Sequence, residues 1–318
     1  MDGTAAGRQF AHFSDRLVAL VEERSSQVVL GLDPNPANLW PEATARVASI
    51  EAPPGDRAKL TAEAVALHCR LAIAAAASAC VAVKPQLACF ERLGSHGWAA
   101  LEATVDAAHE HGLLVLADGK RGDVPQTAQA YAQALVGRTE GPFGTVEGLG
   151  VDAFTANPLL GRDALQPLLD AADAAAAGCF VLVRTSNPGA AEIQDEPAGS
   201  PLRDRLARLV DELGASRIGA AGLSDVGAVT GATRPELLAD LRERMPAAIF
   251  LLPGVGAQGG KADDLGPAFA PHPAAGLVAA SRSIVDAHAA GGGDPALAAA
   301  AAAEALRAKT WRIATGAA

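Results

Sequence analysis

Cysteine is scarce in this sequence, and its placement excludes the common cysteine-based sites. The chain has four cysteines, with no CxxC pair and no histidine cluster beside them. Zinc-finger and dithiol redox motifs need such groupings, so neither is predicted. The cysteines lie in apolar or helical contexts, which is typical of reduced, buried thiols in a cytoplasmic protein. They are Cys69, Cys80, Cys89 and Cys179.

Positive charge is also in deficit. Lysine and arginine total 26 against 36 aspartate and glutamate residues, which gives a formal net charge of −10. The field of the whole molecule therefore repels polyanions, and we expect neither nucleic acid nor an anionic membrane as a partner. An anionic small molecule would need a locally basic pocket.

Aromatic residues and long apolar runs are few. Aromatics make up 4% of the chain and hydrophobic residues 50%, so a globular core has to be built from Val, Leu, Ile and Ala. The first 17 residues are polar and contain no apolar signal core. No stretch is expected to be long and apolar enough to span a membrane. The Ala-rich tract 292–306 contains Asp294 and Glu304 and predicts an amphipathic helix.

Short aliphatic runs alternate regularly with longer helical patterns. This alternation predicts an α/β protein with a parallel sheet, and eight runs favour closure into a (β/α)8 TIM barrel. An open doubly wound sheet is the alternative. We expect one barrel domain over residues 1–318, with an N-terminal and a C-terminal helix. The predicted strands are 28–33, 80–85, 113–118, 151–157, 179–186, 226–233, 248–254 and 276–283.

The segments between these runs divide into helices and loops. The helical patterns are 58–78, 95–111, 125–137, 161–176, 201–213, 234–244 and 293–309. Pieces rich in glycine and proline are typical of loops within a domain and provide no linker that would divide the chain. These pieces are 51–56, 138–149, 194–200 and 287–294.

Charged residues follow directly after the third aliphatic run, in the segment ADGKRGD. The two-residue repeat of a strand places Asp118 and Lys120 on one face, pointing to the barrel mouth, and Asp123 lies on the following loop. With Lys84, which ends the preceding run, they can form a network of two ammonium and two carboxylate groups. Such a network has to be satisfied as a whole when it is buried. The alternative is a solvated charged turn.

A glycine-rich segment, LLPGVGAQGG, follows the seventh run. Three of its glycines fit the GxGxxG pattern of dinucleotide-binding folds, but it comes late in the fold and no acid follows at the distance that would hold a ribose. We interpret it instead as a phosphate loop, in which exposed backbone N–H groups and the Gln258 amide bind one phosphate, with Arg282 adding a bidentate contact. A tight packed turn is the alternative. The loop glycines are Gly254, Gly256, Gly259 and Gly260.

Other polar residues have two interpretations each. Asp33, in GLDPNP, either accepts a hydrogen bond from a sugar hydroxyl or initiates a turn. Ser186 and Asn187, in RTSNPG, either bind a polar ring or form a turn. Several histidines have no matching ligands beside them and are expected in surface or structural positions: His68, His109, His111 and His272.

Taken together, these motifs resemble a known family. The signature of the orotidine 5′-phosphate decarboxylases is similar to ADGKRGDVPQTAQAYA, and the bacterial type 2 branch has, in the same order, segments similar to GLDPNP, VKPQLACFE, RTSNPGA, VTGAT, PGVGAQGG and SRSI. The match spans roughly residues 10–285. It implies a (β/α)8 barrel of the ribulose-phosphate-binding type. It also implies a homodimer that converts orotidine 5′-monophosphate (OMP) to UMP and carbon dioxide without metal or cofactor.

The resemblance also implies roles for individual residues. Lys84, Asp118, Lys120 and Asp123 would form a charged catalytic tetrad, and Asp123 and Thr127 would reach the site of the partner subunit. The substrate contacts would divide by chemical group, with ribose held by Asp33 and Lys84, pyrimidine by Ser186, and phosphate by Gln258 and Arg282.

Two positions depart from the family pattern. Arg184 stands where a lysine is expected, which leaves its role open. Thr230, in VTGAT, stands in a strand that is usually more aliphatic, and we expect it to affect packing instead of chemistry.

Three other functions are compatible with parts of the pattern. A magnesium-dependent sugar-phosphate decarboxylase would share the DxKxxD spacing. A Schiff-base aldolase would use Lys84 or Lys120, but flanking carboxylates keep a lysine protonated and non-nucleophilic. A non-catalytic nucleotide-phosphate sensor would bind UMP without turnover.

Overall fold

The strands form a closed, parallel, eight-stranded barrel. The computed structural model describes residues 11–49, 56–256 and 258–316. Around the barrel the strand order is β1-β10-β9-β8-β7-β6-β3-β2. The predicted barrel is thus confirmed, and the open sheet is excluded. The barrel strands are β1 Val28–Leu32, β2 Ala82–Pro85, β3 Leu114–Arg121, β6 Ala153–Ala156, β7 Gly178–Arg184, β8 Ser224–Thr230, β9 Ala248–Pro253 and β10 Gly276–Ala280.

Helices surround the barrel and follow the predicted segments closely. Two of them begin at residues that favour a helix start: α6 has Pro125 at its first turn, and the side chain of Asp294 caps α13 by accepting hydrogen bonds from two backbone N–H groups. The helices are α1 Phe13–Arg24, α2 Pro41–Ala48, α3 Arg57–Ala76, α4 Leu87–Glu91, α5 Ser95–Glu110, α6 Pro125–Leu135, α7 Arg162–Ala174, α8 Ala190–Gln194, α9 Leu202–Gly214, α10 Leu238–Arg244, α11 Arg282–Val285, α12 His288–Gly291 and α13 Pro295–Thr315.

The barrel has two apolar layers. Side chains between the strands and the outer helices form the larger one. The second fills the barrel interior and includes one face of α1, whose Phe13 ring meets the Phe180 ring edge-on at 6.0 Å between centroids. Arg16 of α1 donates a 2.7 Å hydrogen bond to Asp152, just before β6 begins. Helix α1 therefore covers the amino-terminal end of the barrel and leaves the opposite end for the site.

The predicted loop at 138–149 is wrong in part, because it contains an antiparallel hairpin. Among the residues that the structure describes, strands β4 (Arg138–Gly141) and β5 (Gly144–Glu147) pair only with each other, and all eight of their residues are exposed. Without a buried face there is no alternation of apolar and polar residues to indicate a strand. The predicted loop at 287–294 similarly contains the short helix α12, whereas residues 51–55 of another predicted loop lie outside the described part of the chain.

The expectation that no stretch is long and apolar enough to span a membrane is also wrong when length and composition alone are considered. The 23-residue stretch Arg57–Ala79 passes that test, because 18 consecutive residues within it have a mean hydropathy of 1.4. They include α3, which packs against α2, α5 and α13 in the outer layer, and half of the apolar window is buried there. Its composition therefore has an explanation in the packing of the barrel.

Candidate active site

A pocket of about 640 Å³ opens at the carboxyl ends of the barrel strands. This is the end at which barrel enzymes carry their active sites. Most of the predicted site residues line the pocket: Asp33, Lys84, Asp118, Lys120, Ser186, Gly254, Gln258 and Arg282. The remaining predicted residues lie outside its lining: Asp123, Thr127, Gly256, Gly259 and Gly260.

The centre of the pocket is the carboxylate of Asp118, which bridges two lysines. Lys84 Nζ lies 2.8 Å from Asp118 Oδ2, and Lys120 Nζ lies 2.6 Å from Asp118 Oδ1. Thr155 donates its hydroxyl to Oδ1 at 3.0 Å, and Gln86 donates to Oδ2 at 3.3 Å. Both oxygens of the carboxylate are thus occupied by donors. The predicted alternative of a solvated turn is excluded, because Asp118 and Lys84 are each only 7% exposed.

Both members of the buried ion pair are held in their charged forms. Burial by itself would raise the pKa of Asp118, but Lys84 and Lys120 outweigh it and lower this pKa to about 2. Burial would also lower the pKa of Lys84, but the negative charges of Asp118 and Asp33 outweigh it and raise this pKa. The pocket therefore presents an ionised carboxylate between two cations at neutral pH.

The backbone of Lys120 adopts a conformation that is uncommon for a lysine. Its φ is +49°, in the left-handed region, and the pairing of β3 with β6 shifts register between Ala117 and Arg121. The backbone N–H of Lys120 donates to Thr155 Oγ1 at 2.8 Å, which holds this bulge. The bulge turns the Lys120 side chain, which is 41% exposed, into the pocket.

Two glycines allow the chain to pass through this bulge. A Cβ at Gly119 would lie 2.6 Å from Leu87 Cδ1, and a Cβ at Gly122 would lie 2.7 Å from the Asn157 carbonyl oxygen. The DGKRGD segment therefore needs small residues on both sides of the Lys120 turn.

The fourth member of the predicted tetrad is not joined to the other three within one chain. Asp123 accepts a 2.8 Å hydrogen bond from the backbone N–H of Val124. Among the described residues, no hydrogen bond or ion pair links Asp123 to Lys84 or Lys120. Asp123 is half-buried just before α6, and Thr127 is exposed in the first turn of α6.

The predicted phosphate loop needs a correction. Its glycines do require left-handed conformations, with φ of +104° at Gly254, +78° at Gly256 and +91° at Gly259. However, the N–H groups of Gly256, Gly259 and Gly260 donate to carbonyls of the same segment at 2.9, 2.9 and 3.0 Å. These three N–H groups are therefore not the exposed donors that we expected, and Ala257 lies outside the described residues.

Side chains, in contrast, remain directed at the pocket beside this segment. A Cβ at Gly254 would lie 3.2 Å from Gln258 Oε1 and 3.3 Å from Ser186 Cβ. The absence of a side chain at Gly254 thus leaves room for both Gln258 and Ser186, and Arg282 lines the same cavity from the start of α11. This end of the pocket offers an amide, a hydroxyl and a guanidinium group.

The two departures from the family pattern have structural positions. Arg184 is 4% exposed and forms two 3.0 Å hydrogen bonds to Asp195. Thr230 is buried in β8, and its hydroxyl has no hydrogen-bond partner among the described residues. Neither residue lines the pocket.

Several pocket residues were missed by sequence reasoning. Gln86 and Thr155 contact Asp118, and Thr185 and Gln194 contact each other at the rim. Gln86, Thr155 and Thr185 lie at or near the ends of predicted strands, whereas Gln194 lies in α8 and has no such sequence signal. The histidines have the structural positions that were expected. Buried His68 accepts the backbone N–H of Trp40, while His109, His111 and His272 bond to other groups away from the pocket.

Comparison with known proteins gives one consistent family. The family described as orotidine 5′-phosphate decarboxylase / HUMPS matches residues 26–302. An orotidine 5′-phosphate decarboxylase of Rhodopirellula baltica is 42% identical over 280 residues, covering 87% of this chain and 89% of the relative. Another, of Deinococcus radiodurans, is 46% identical over 202 residues, covering 64% and 70%. The structure of Leishmania donovani OMP decarboxylase matches with a TM-score of 0.66 and 28% identity, covering 94% of this chain and 99% of that one. The chain therefore belongs to the orotidine 5′-phosphate decarboxylase / HUMPS family.

Proposed function

We propose that this protein decarboxylates orotidine 5′-monophosphate to UMP and carbon dioxide, a step of pyrimidine biosynthesis. The observation that carries the proposal is the Lys84–Asp118–Lys120 array at the mouth of a barrel whose relatives are orotidine 5′-phosphate decarboxylases. Membership of the family agrees with this activity.

The chemistry requires a positive charge where an electron pair develops. Loss of carbon dioxide from C6 of the ring leaves a carbanion with little delocalisation, so the enzyme has to supply on the order of 20 kcal/mol of transition-state stabilisation. Lys120, bonded to Asp118, is a cation oriented before the reaction begins. It stabilises the developing charge and then donates a proton to C6.

Asp118 and Lys84 support this role through their charges. The ionised Asp118 carboxylate engages the Lys120 nitrogen as a hydrogen-bond donor, which suits an acid and not a nucleophile. This argues against a Schiff-base aldolase. Lys84 neutralises the second oxygen of Asp118 and, together with Asp33, faces the space where ribose hydroxyls would bind.

The remaining contacts are assigned from the chemistry of the pocket. Ser186 would hydrogen-bond to the pyrimidine, and Gln258 and Arg282 would bind the phosphate at the far end. Both phosphate ligands are side chains, because most of the nearby glycine N–H groups are already bonded within their own segment. Binding energy from the phosphate, remote from C6, would then contribute to the transition state.

We also propose that the protein works as a homodimer in the cytoplasm. Asp123 and Thr127 lie on the rim, and within the described part of the chain Asp123 has no bond to Lys84 or Lys120. Val124 and Leu159, on neighbouring rim segments, are 55% and 78% exposed, so the rim offers apolar surface for a second subunit. The partner's Asp123 would complete the tetrad of each site. The free cysteines agree with a reducing compartment.

The test is an assay of OMP decarboxylation in the presence of EDTA, followed by the change in absorbance and by UMP formation. We expect robust turnover that added magnesium does not increase. Dependence on magnesium would favour the sugar-phosphate decarboxylase instead. UMP binding without turnover would favour the nucleotide-phosphate sensor, and trapping of a lysine adduct by borohydride would favour the aldolase.

A further inference from the structure

The segment after β7 leaves the barrel and returns to it, and an ion pair joins its two ends. We refer to residues 185–195 as the β7 loop. Arg184, at the base, donates from Nε and Nη2 to the two carboxylate oxygens of Asp195, at 3.0 Å each. The Arg184 side chain is 5% exposed and the Asp195 side chain is 18% exposed, so water reaches this bidentate pair from the Asp195 side only.

A second pair of hydrogen bonds closes the same loop one residue further in. The backbone N–H of Thr185 donates to Gln194 Oε1 at 2.8 Å, and Gln194 Nε2 donates to Thr185 Oγ1 at 3.0 Å. Asp195 also accepts a 2.7 Å hydrogen bond from Arg203 of α9. The end of the β7 loop is thus tied both to its beginning and to an outer helix.

The residues held between these ties face the pocket. Ser186 and Asn187 line it, together with Thr185 and Gln194. Ser186 is seated closely against β8: a Cβ at Gly231 would lie 2.8 Å from Ser186 Cα, and Thr233 donates its hydroxyl to the Ser186 carbonyl at 3.3 Å. A small displacement of the loop would therefore change the position of the Ser186 hydroxyl.

We propose that Asp195 is a positioning residue for recognition of the pyrimidine ring. Through its pair with Arg184 it fixes the β7 loop, so that Ser186 is held where the base of the nucleotide binds. The inference rests on the proposed function, because it takes the ligand to be a pyrimidine nucleotide. It assigns a purpose to the arginine at position 184: only a guanidinium can bond both oxygens of Asp195 side by side.

The experiment compares two ligands that differ in the base. UMP and ribose 5-phosphate share the sugar and phosphate, but only UMP has a pyrimidine. For Asp195→Asn we expect the Kd of UMP, measured by calorimetry, to rise about tenfold, the change that corresponds to about 1.4 kcal/mol for one charged hydrogen-bond pair. The Kd of ribose 5-phosphate should stay within about twofold of the wild-type value. A purely structural role would weaken both ligands or neither.

Asp204→Asn is the matched control. Asp204 is 19% exposed and is paired with arginines at 3.4 and 3.6 Å, but not with Arg184. This variant should bind both ligands like the wild type. Arg184→Lys keeps the positive charge while losing the bidentate geometry, and it should weaken UMP selectively by a smaller factor than Asp195→Asn.

Several results would overturn the inference. They are an equal loss of both ligands in Asp195→Asn, no loss of UMP binding in either Asp195→Asn or Arg184→Lys, or the same UMP-selective loss in Asp204→Asn. Wild-type protein that binds UMP but does not decarboxylate OMP would contradict the proposed function. The comparison of UMP with ribose 5-phosphate would still test the role of Asp195. Wild-type protein that does not bind UMP would contradict both the proposed function and the inference about Asp195.

Discussion

Lys120 Nζ lies 2.6 Å from Asp118 Oδ1, and the backbone between these two residues passes through a left-handed turn at Lys120. In a regular strand, two side chains that are two residues apart point in the same direction, but they do not meet as closely as these two do. The bulge against β6 brings the ammonium back onto the carboxylate. The electrostatics of the site therefore depend on a local backbone distortion as well as on residue type.

Asp118→Asn should abolish most activity and also destabilise the fold. It removes the charge that both lysines need, and it leaves buried Lys84 without its ion-pair partner, which costs about 3 kcal/mol of unfolding free energy. Urea unfolding at pH 7 measures this cost. An Asp118→Asn variant as stable as the wild type would show that Lys84 does not depend on the pair.

The same carboxylate predicts a pH dependence of stability. Since its pKa in the folded protein is lowered to about 2, its contribution is complete above the unfolded pKa of about 3.9 and is lost as pH falls toward 2. The stability difference between wild type and Asp118→Asn should therefore be constant from about pH 5 to pH 7 and shrink below about pH 4. A difference that already falls between pH 7 and pH 5 would contradict the assignment.

Thr155→Val should lower kcat/KM by about 10- to 100-fold while the barrel stays folded, because a small displacement of a catalytic group has effects of this size. Valine has the shape of threonine, but it cannot donate to Asp118 or accept from the Lys120 N–H. Thr230→Val is the matched control, because Thr230 is equally buried in a strand and its hydroxyl has no partner among the described residues. Equal activities in the two variants would argue against the role of Thr155.

His68, which does not line the pocket, predicts a second loss of stability at acid pH. Burial lowers its pKa to about 4, and its Nδ1 accepts a hydrogen bond from the Trp40 N–H, so the folded protein holds it neutral. The unfolded chain binds a proton near pH 6.5, so this group removes stability as pH falls from about 6.5 toward 4. Between pH 7.5 and 4.5 the wild type should lose about 2 kcal/mol more than His68→Gln in urea unfolding. Equal losses would contradict this.

Subunit mixing tests the proposed dimer. Asp123→Ala and Lys120→Ala should each be inactive alone. A hybrid dimer has one site with both residues intact, so random exchange should restore about a quarter of wild-type activity. No recovery, despite mass-spectrometric proof of exchange, would show that Asp123 does not act across the interface.

The sequence predicted much of this arrangement because the barrel imposes strong patterns. Buried parallel strands appear as aliphatic runs, and their polar ends coincide with the site, so Lys84, Asp118 and Lys120 could be grouped before their contacts were known. The order of these motifs also resembled one family, and the comparisons confirm that family.

Other features have no such pattern. The hairpin β4–β5 has no buried face, and the bonds that occupy the N–H groups of Gly256 and Gly260 depend on loop dihedrals. Thr155 resembles any β-branched strand residue until its neighbour across the sheet is known. The role of Arg184 could not be predicted, because its partner, Asp195, lies in a loop whose path depends on tertiary contacts.

The measurement that tests the central claim most directly is the rate of OMP decarboxylation by Lys120→Ala in EDTA, beside Lys59→Ala as an exposed-lysine control. We predict that Lys120→Ala folds normally, still binds UMP and loses at least about 10³-fold in kcat, whereas Lys59→Ala is unchanged. Turnover by folded Lys120→Ala within about tenfold of the wild type would contradict the account, because the cation beside Asp118 would then not be the group that meets the developing charge.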